Sequence, residues 1–391
     1  MLRATSATEL RLLVFAPSRR RASETFIRAN LRGLPCQISV YCGDELPWRG
    51  SPLRLAYGLA ILLSKLLYRL GLQRAGTWLP SQVAIRICRL ERPSVVLAEF
   101  GFHAVRIMEL VPATGLPLLV HFRGADASSR RYIGVLERRY RRLLSLAAGV
   151  VVKCEPMAER LLRLAGQRSR PLPLLISPSG ADAALFHGAE PALAPPRFLA
   201  VGRFVAKKGP LLTLEAFARA ARGRPQLELV MVGGGPLLVR ARRAASTLGV
   251  EDRVQFVGVE APAVIVARMR GCRGFLQHSL TGPDGDQEGS PVSVMEAQLS
   301  GLPVVGTRHA GIPEVVLHGE TGLLVEEGDV EAMAEAIARL ADSPDLAARL
   351  GAAGHQRCAR RFTVEAHLRD LMAFIHQLEG GAADGGDTVL P

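Results

Sequence analysis

The sequence has few cysteines, the residues that cross-link small folds through disulfides or bind structural metals. Only six of its 391 residues are cysteine, and they form no CxxC pair and no cluster of metal-ligand spacing. This pattern excludes a disulfide scaffold and a zinc module, and it suits a reducing cytosol. We expect the cysteines to be small core residues. They are Cys36, Cys42, Cys88, Cys154, Cys272 and Cys358.

The chain also lacks an apolar run long enough to cross a bilayer. Within its longest candidate, residues 53–72, only the 10 residues 55–64 are uncharged before Lys65 and Arg69 intervene, whereas a span needs about 20. No apolar run of signal-peptide length follows the basic start, so nothing favours secretion. We expect a cytoplasmic protein whose segment 53–72 is either a buried helix or a helix that docks on the inner face of the cytoplasmic membrane.

Acidic residues are scarce in the first half. Residues 1–190 contain 28 Lys and Arg against 13 Asp and Glu, while residues 191–391 contain 21 against 23. A basic half is compatible with an anionic membrane, nucleic acid or a phosphorylated substrate, and we expect no nucleic-acid partner. Because 45 of the 49 basic residues are arginine, codon usage is an equally simple explanation of the bias.

Short β-branched runs alternate with longer helical patterns along the whole chain. This alternation predicts the α/β fold class, with two Rossmann-like doubly wound domains and a ligand cleft at the carboxyl ends of their parallel strands. The predicted strands are the runs at 11–17, 37–42, 94–100, 117–122, 148–154, 173–177, 198–204, 226–236, 253–258, 273–279, 302–307 and 321–326.

A Pro- and Ala-rich passage at 187–198 interrupts this rhythm as a linker would. We therefore predict an N-terminal domain over 1–187 and a C-terminal domain over 197–362. A last helix is expected over 363–379, packed back on the N-terminal domain, and a disordered Gly/Asp-rich tail over 380–391.

The stretch "DQEGSPVSVMEAQLSG" (286–301) predicts an anion site beside a carboxylate. Ser290 can cap a helix that has Pro291 at its first position and ends before Gly301. Gly289 allows a phosphate to approach the free N–H groups at the helix start. Glu288 would then lie on the rim of this site.

Carboxylates repel phosphates but accept hydrogen bonds from hydroxyl groups. Glu288 and Glu296, about one and a half turns inside the helix, therefore indicate a ligand with a diphosphate between two hydroxyl-bearing rings, a nucleotide sugar. In "VGRFVAKKGP", Arg203 and Lys208 end a predicted strand and can stabilise a diphosphate leaving group. The simpler alternatives are solvated glutamates and solvated loop charges.

The ordered run "VGRFVAKKG … VGGGP … FVG … DGDQEGSPVSVMEAQLSGLPVVGTRHAGIPEVV … GLLVEEGD" resembles the donor half of retaining glycosyltransferases of family four, which have the GT-B fold. The resemblance implies that Glu288 contacts the donor sugar and Glu296 the ribose, while Arg203 and Lys208 hold the diphosphate. It implies no metal, so the pair Asp284 and Asp286 is taken as a loop feature. The remaining donor-binding candidates are Gly289, Ser290, Pro291, Val292, Gly234 and Val257.

The first half resembles, more loosely, the exopolysaccharide (colanic-acid-type) subgroup of that family. In "HFRGADAS" the positions of Gly124 and Asp126 match the family's His-Gly-x-Asp motif, which places Arg123 where the family has histidine. His121, two residues earlier, shares a strand face with Arg123, so either residue can serve. The acceptor-side candidates are Asp126 and Glu24, and Glu24 is equally compatible with the first turn of a helix that Ser23 caps.

These observations predict a metal-independent hexosyltransferase with no cofactor, and the resemblance implies that it retains the anomeric configuration. Its co-substrate would be a nucleotide-diphosphate sugar and its acceptor a glycan or a lipid-linked glycan, in exopolysaccharide or cell-surface glycan synthesis. The alternatives are a nucleotide-sugar epimerase of the same fold and a non-catalytic donor-binding subunit of a polysaccharide assembly complex.

Overall fold

The computed structural model describes residues 10–18, 25–45, 51–168 and 170–381. Within these residues the chain forms two compact units. The first comprises the chain up to Lys153, residues 157–177 and the chain from Leu368 onward; the second comprises Cys154–Pro156 and Pro178–His367. The chain therefore leaves the first unit at Ser177 and returns to it near its C-terminal end.

Each of the twelve runs predicted to be strands corresponds to one, although the strand Arg197–Val201 begins one residue before its run. Most strands are shorter than the predicted runs, and Gln37–Cys42 has the predicted bounds. The strands are β1 Arg11–Ala16, β2 Gln37–Cys42, β3 Val95–Glu99, β4 Leu118–His121, β5 Gly149–Val152, β6 Leu174–Ile176, β7 Arg197–Val201, β8 Glu228–Val232, β9 Val254–Gly258, β10 Gly274–Gln277, β11 Val304–Thr307 and β12 Gly322–Val325.

Helices follow most of the strands, as expected for parallel sheets. Two single 3₁₀ turns, Ala206–Lys208 and Glu251–Arg253, supplement them. The α-helices are α1 Thr25–Gly33, α2 Pro52–Arg69, α3 Gln73–Glu91, α4 Gly101–Ile107, α5 Leu110–Thr114, α6 Ala125–Ser128, α7 Arg130–Leu146, α8 Glu155–Ala165, α9 Pro210–Ala220, α10 Leu238–Thr247, α11 Pro262–Arg270, α12 Val292–Ser300, α13 Ile312–Val315, α14 Val330–Asp342, α15 Pro344–Arg361 and α16 Val364–Gly381.

Each unit contains one six-stranded sheet in which every pairing is parallel. The orders are β2-β1-β3-β4-β5-β6 in the first unit and β12-β11-β10-β7-β8-β9 in the second. The second is the strand order of the Rossmann fold, in which the order of the parallel strands along the sheet reverses between β7 and β10. In such sheets ligands bind beyond the carboxyl ends of the strands at the reversal, so the loops after β7 and β10 are where a site is expected.

The cores of both units are aliphatic. In the first unit the buried face of β1, Leu12 and Val14, lies in one cluster with Leu371 and Ile375 of α16. The last helix thus packs on the first unit, although the chain reaches it from the second. Four of the six cysteines are buried. Helix α2 lies within 53–72 almost entirely, and no helix in the described part of the chain combines the length and apolar character that a membrane span needs.

Candidate active site

The loop after β7 runs against the end of β10, across the reversal of the second sheet. Gly209 follows the 3₁₀ turn with φ of 53°, and a Cβ there would lie 1.9 Å from the backbone oxygen of His278. Only glycine combines this conformation with so close an approach. The turn therefore carries Lys207 and Lys208 toward the segment that follows β10.

Lys208 forms an ion pair with Glu288, with 3.3 Å between Nζ and Oε2. Both side chains are largely buried. Lys207 contacts the two residues before Glu288. Its Nζ lies 3.0 Å from an Asp286 carboxylate oxygen and donates to the Gln287 carbonyl at 3.1 Å. The sequence prediction singled out Lys208 and omitted Lys207; the adjacent lysine in "AKKG" was the available signal. Asp286 is thereby engaged by an ammonium group.

The charge of Glu288 is set by these lysines. Burial alone would raise its pKa, but Lys208 and then Lys207 outweigh burial, so the pKa lies below its ordinary value. Glu288 is therefore a carboxylate at neutral pH. Its second oxygen, Oε1, is buried and has no hydrogen-bond partner among the described residues, which leaves it available to accept from a ligand hydroxyl.

Helix α12 starts one residue later than predicted. Pro291, with φ of −65° and ψ of 119°, is its N-cap, and Val292 is its first helical residue. The expectation that Ser290 caps the helix is wrong, because the extended ψ of Pro291 places Ser290 one residue before the cap position. The Ser290 hydroxyl is buried and makes no hydrogen bond within the described chain. The end of the helix is as predicted, with Gly301 in the left-handed conformation at φ of 98°.

Glu296 lies on the second turn of α12, and the charge of Lys208 also acts on it. Burial raises its pKa to about 7, and the Lys208 charge opposes the rise without cancelling it. The structure therefore brings together Glu288, Lys208 and Glu296 as the sequence pattern indicated, but in different protonation states near neutral pH.

Two residues that the sequence prediction did not single out support this segment. The His309 Nε2 accepts from the backbone N–H of Glu288 at 3.1 Å, and its Nδ1 lies 2.5 Å from Glu327 Oε1. Glu327 also accepts from the Thr281 N–H at 2.8 Å. These partners require the Nδ1–H form of the neutral ring. Since His309 follows β11 and Glu327 follows β12, the rule that sites lie beyond strand ends could have identified both.

The glycine run after β8 packs against the loop after β7. A Cβ on Gly233 would lie 1.9 Å from the Gly202 oxygen, and one on Gly235 would lie 2.7 Å from the Phe204 oxygen. Both glycines have positive φ. Gly234, the predicted donor-binding member, lies between them, and its carbonyl accepts from the Phe204 N–H at 2.9 Å.

The other two predicted donor-side residues occupy the same edge of the sheet. Arg203 is exposed on the loop after β7, and Val257 is half-buried in β9. The structure thus groups the predicted residues of the second unit around one edge, with Lys207, His309 and Glu327 added.

In the first unit, His121 and Arg123 both point to Glu99 at the end of β3. Arg123 donates to Glu99 through Nε at 2.9 Å and Nη2 at 2.8 Å, a bidentate pair, and His121 Nδ1 lies 3.6 Å from Glu99 Oε2. All three side chains are almost fully buried. The two side chains thus meet at one carboxylate, but not on one strand face as predicted, because β4 ends at His121 and Arg123 lies in the loop after it. The residue that joins them, Glu99, was missed.

Asp126 shapes the loop that carries Arg123. Its oxygens accept from the backbone N–H groups of Gly101, Arg123 and Gly124 at 2.9 to 3.0 Å. Burial raises its pKa, and these hydrogen bonds act in the opposite direction. A contact of Asp126 with an acceptor stays a prediction, and Glu24 lies outside the described residues.

Comparisons with known proteins agree with this geometry. The chain matches the family model "Glycosyl transferases group 1" over residues 187–357. It is 31% identical over 309 residues to the amylovoran biosynthesis glycosyltransferase AmsK of Erwinia amylovora, covering 74% of each chain. It is 30% identical over 305 residues to the putative colanic acid biosynthesis glycosyltransferase WcaL of Salmonella typhimurium, covering 72% of this chain and 73% of the relative.

Solved structures share the fold at low sequence identity. Anabaena Alr3699/HepE in complex with UDP superposes with a TM-score of 0.74 at 17% identity, covering 94% of this chain and 100% of that one. Sucrose-phosphate synthase from Thermosynechococcus elongatus gives 0.72 at 20% identity, covering 95% and 100%. The predicted GT-B fold class of two Rossmann-like domains is confirmed. With the family match and the two relatives, these results establish that the chain belongs to the group 1 glycosyltransferases.

Proposed function

We propose that this glycosyltransferase moves a sugar, with retention of anomeric configuration, from a nucleotide-diphosphate sugar to a glycan or lipid-linked acceptor. The observation that carries the proposal is the Glu288 site. There a carboxylate ion-paired to Lys208 keeps one buried oxygen without a hydrogen-bond partner, beside the equally unpartnered Ser290 hydroxyl. Buried polar atoms are almost always paired, so two orphans together indicate a polar ligand.

Each group has a distinct task in this proposal. The free N–H groups at the start of α12, together with Lys208 and Arg203, stabilise the charge of the departing diphosphate, so that no metal is needed. Glu288 accepts from a donor sugar hydroxyl, and Glu296 accepts from the ribose. The acceptor hydroxyl attacks from the face that the leaving group occupies. Among the described residues none is placed as an enzyme nucleophile, so we propose no covalent intermediate.

The pathway follows from the relatives. The proteins named for amylovoran and colanic acid biosynthesis support a role in exopolysaccharide or cell-surface glycan synthesis. Other relatives are named for GDP-mannose and the solved neighbours for UDP, so we leave the donor base to experiment. A lipid-linked acceptor would place the enzyme at the inner face of the cytoplasmic membrane.

One experiment tests the site and the chemistry together. A thermal-shift screen over UDP-, GDP-, ADP- and dTDP-sugars selects the donor, since a ligand that binds the folded state raises the melting temperature. Transfer of that sugar to a lipid extract is then measured with EDTA present, and the product anomer is assigned by NMR. We expect undiminished transfer in EDTA and the donor's own anomeric configuration.

Variants then localise the chemistry. Glu288→Gln and Lys208→Ala should each lower kcat/KM by about 100-fold or more, the scale of a lost charged transition-state contact. Glu228→Gln is the matched control, because it breaks an ion pair with Arg197 in the same unit away from the site. Intact transfer by Glu288→Gln would refute the proposed donor site. Isomerised donor would identify an epimerase, and binding without turnover a non-catalytic subunit.

A further inference from the structure

Helix α2 presents leucine to solvent where a surface helix ordinarily presents polar side chains. Five leucines of α2 and the leucine at its C-cap each have at least two-fifths of their surface exposed. Scattered exposed leucines are common, but a contiguous set marks an interaction surface. We call this set the leucine face of α2. Its members are Leu55, Leu59, Leu62, Leu63, Leu66 and Leu70.

The leucine face is a single continuous stripe. At about 100° per residue, its six positions fall within an arc of about 100° along a helix about 27 Å long. The opposite side of α2 is already packed. Tyr57 is fully buried with its ring centroid 4.9 Å from that of Phe15, and the Ser64 hydroxyl donates to the Gly76 carbonyl at 2.6 Å. The exposed leucines are therefore not needed to hold the helix in place.

Basic residues predominate among the charges near this stripe. Residues 51–90, which include α2 and nearly all of α3, contain six basic residues and no acidic one. Arg69 borders the leucine arc on α2, and Arg74 is exposed at the start of α3. Lys65 is partly neutralised by Asp44, 2.5 Å away. Arg139 of α7 lies close enough to act on Tyr68 electrostatically.

The next helix also exposes a large aromatic side chain, that of Trp78. It lies on α3, the helix that follows α2 directly, and is 59% exposed. Tryptophan is favoured at the boundary between water and the acyl chains of a bilayer. A helix with a leucine stripe, arginine at its edge and a neighbouring exposed tryptophan has the composition of an interfacial helix, which lies in the membrane surface and does not cross it.

We propose that the leucine face of α2 docks this protein on an anionic lipid bilayer. A second copy of the chain would also cover leucine, but two identical copies would bring together the excess of basic residues that each α2–α3 pair carries. An anionic surface compensates those charges. The proposal is independent of the donor chemistry, although a surface-bound enzyme suits the lipid-linked acceptor proposed above.

Flotation of the full chain with vesicles tests this surface. The wild type should float with phosphatidylcholine vesicles containing 30–40% phosphatidylglycerol, roughly an order of magnitude more than with phosphatidylcholine alone. Leu62→Asn/Leu66→Asn should lower the partition coefficient at least tenfold. Arg69→Glu/Arg74→Glu should remove the preference for anionic vesicles. Leu162→Asn/Leu248→Asn, which changes two exposed leucines elsewhere, is the matched control and should float like the wild type.

Two further measurements keep the outcomes distinct. Circular dichroism melting curves establish that the variants fold, and Leu59→Asn/Leu63→Asn replaces any that do not. The donor-induced thermal shift should be unchanged in Leu62→Asn/Leu66→Asn, which separates lost docking from a damaged donor site. Absence of wild-type flotation overturns the proposal. So does a wild-type dimer in analytical ultracentrifugation that Leu62→Asn/Leu66→Asn dissociates, since the face would then belong to a second copy.

Discussion

Lys208 lies near both Glu288 and Glu296, yet the pKa values of the two glutamates are shifted in opposite directions. Glu288 has Lys207 as well as Lys208 nearby, and its pKa is lowered despite burial. Glu296 has only Lys208 to oppose burial, and its pKa rises to about 7. The direct ion pair with Lys208 and the nearby Lys207 charge thus keep Glu288 ionised, whereas burial outweighs the Lys208 charge at Glu296.

This difference predicts how nucleotide binding depends on pH. The Glu296 carboxyl takes up a proton as the pH falls through about 7, and a neutral carboxyl is a weaker acceptor for ribose hydroxyls. Binding of the preferred nucleoside diphosphate should therefore tighten as the pH rises from 6 to 8, by up to about tenfold per unit below the pKa.

Isothermal titration calorimetry at several pH values measures this dependence. Glu296→Gln is the control, since its amide does not titrate, and it should flatten the profile apart from the phosphate's own titration. An equal pH slope in the wild type and in Glu296→Gln would contradict the assigned role of Glu296.

The segment 284–291, between β10 and α12, is held by residues from the loops after other strands. Lys207 fixes it from the loop after β7, and His309 fixes the Glu288 backbone from the loop after β11. The Glu288 N–H is buried, so removing its acceptor leaves an unpaired donor that costs about 1–3 kcal/mol. The geometry of this segment thus depends on His309 even though no ligand contact is assigned to it.

His309→Ala should therefore weaken donor binding by loosening this segment. We expect the KM for the donor to rise about tenfold, equivalent to about 1.4 kcal/mol, with a smaller change in kcat. His309→Gln, which can restore an acceptor, should recover part of the loss. Steady-state kinetics with each variant measure both parameters.

His318→Ala is the matched control for this prediction. His318 also accepts a backbone N–H, that of Leu324 at 3.0 Å, in the same unit. If His309→Ala and His318→Ala lowered the melting temperature equally and had the same KM for the donor, His309 would have only a general structural role.

Sequence reasoning recovered the elements more fully than the contacts. Strands were predictable because buried parallel strands leave continuous β-branched runs, and the position of α12 was predictable to within one residue because Pro291 favours a helix start and Gly301 a helix end. The Glu99–Arg123 pair and the His309–Glu327 pair were not, because each joins residues from separate strand ends. Which side chains meet there depends on loop conformations that no local pattern specifies.

At the scale of the whole molecule, the last helix completes the first unit. Leu371, Phe374, Ile375 and Leu378 of α16 belong to the cluster that includes β1. The fit is close, since a Cβ on Gly149 would lie 2.9 Å from the Phe374 ring. The predicted tail lies outside the described residues from 382 onward.

Truncating this contact should destabilise the first unit selectively. Leu371→Ala removes a fully buried side chain, which costs about 2–5 kcal/mol. Differential scanning calorimetry should show one transition at a lower temperature, while the transition that a bound nucleoside diphosphate stabilises stays in place. Arg369→Ala, at an exposed position of the same helix, is the control. An unchanged thermogram for Leu371→Ala would contradict this assignment.

The return of α16 to the first unit also has a consequence for biosynthesis. The roughly 190 residues between Ser177 and Leu368 take about 10–40 s to translate at about 5–20 residues per second. During that interval the apolar side chains of the first unit that pack against α16 have no α16 to contact. The second unit, whose residues are all made by then, can finish folding before the first. Synthesis therefore begins with the first unit, but folding can finish with it.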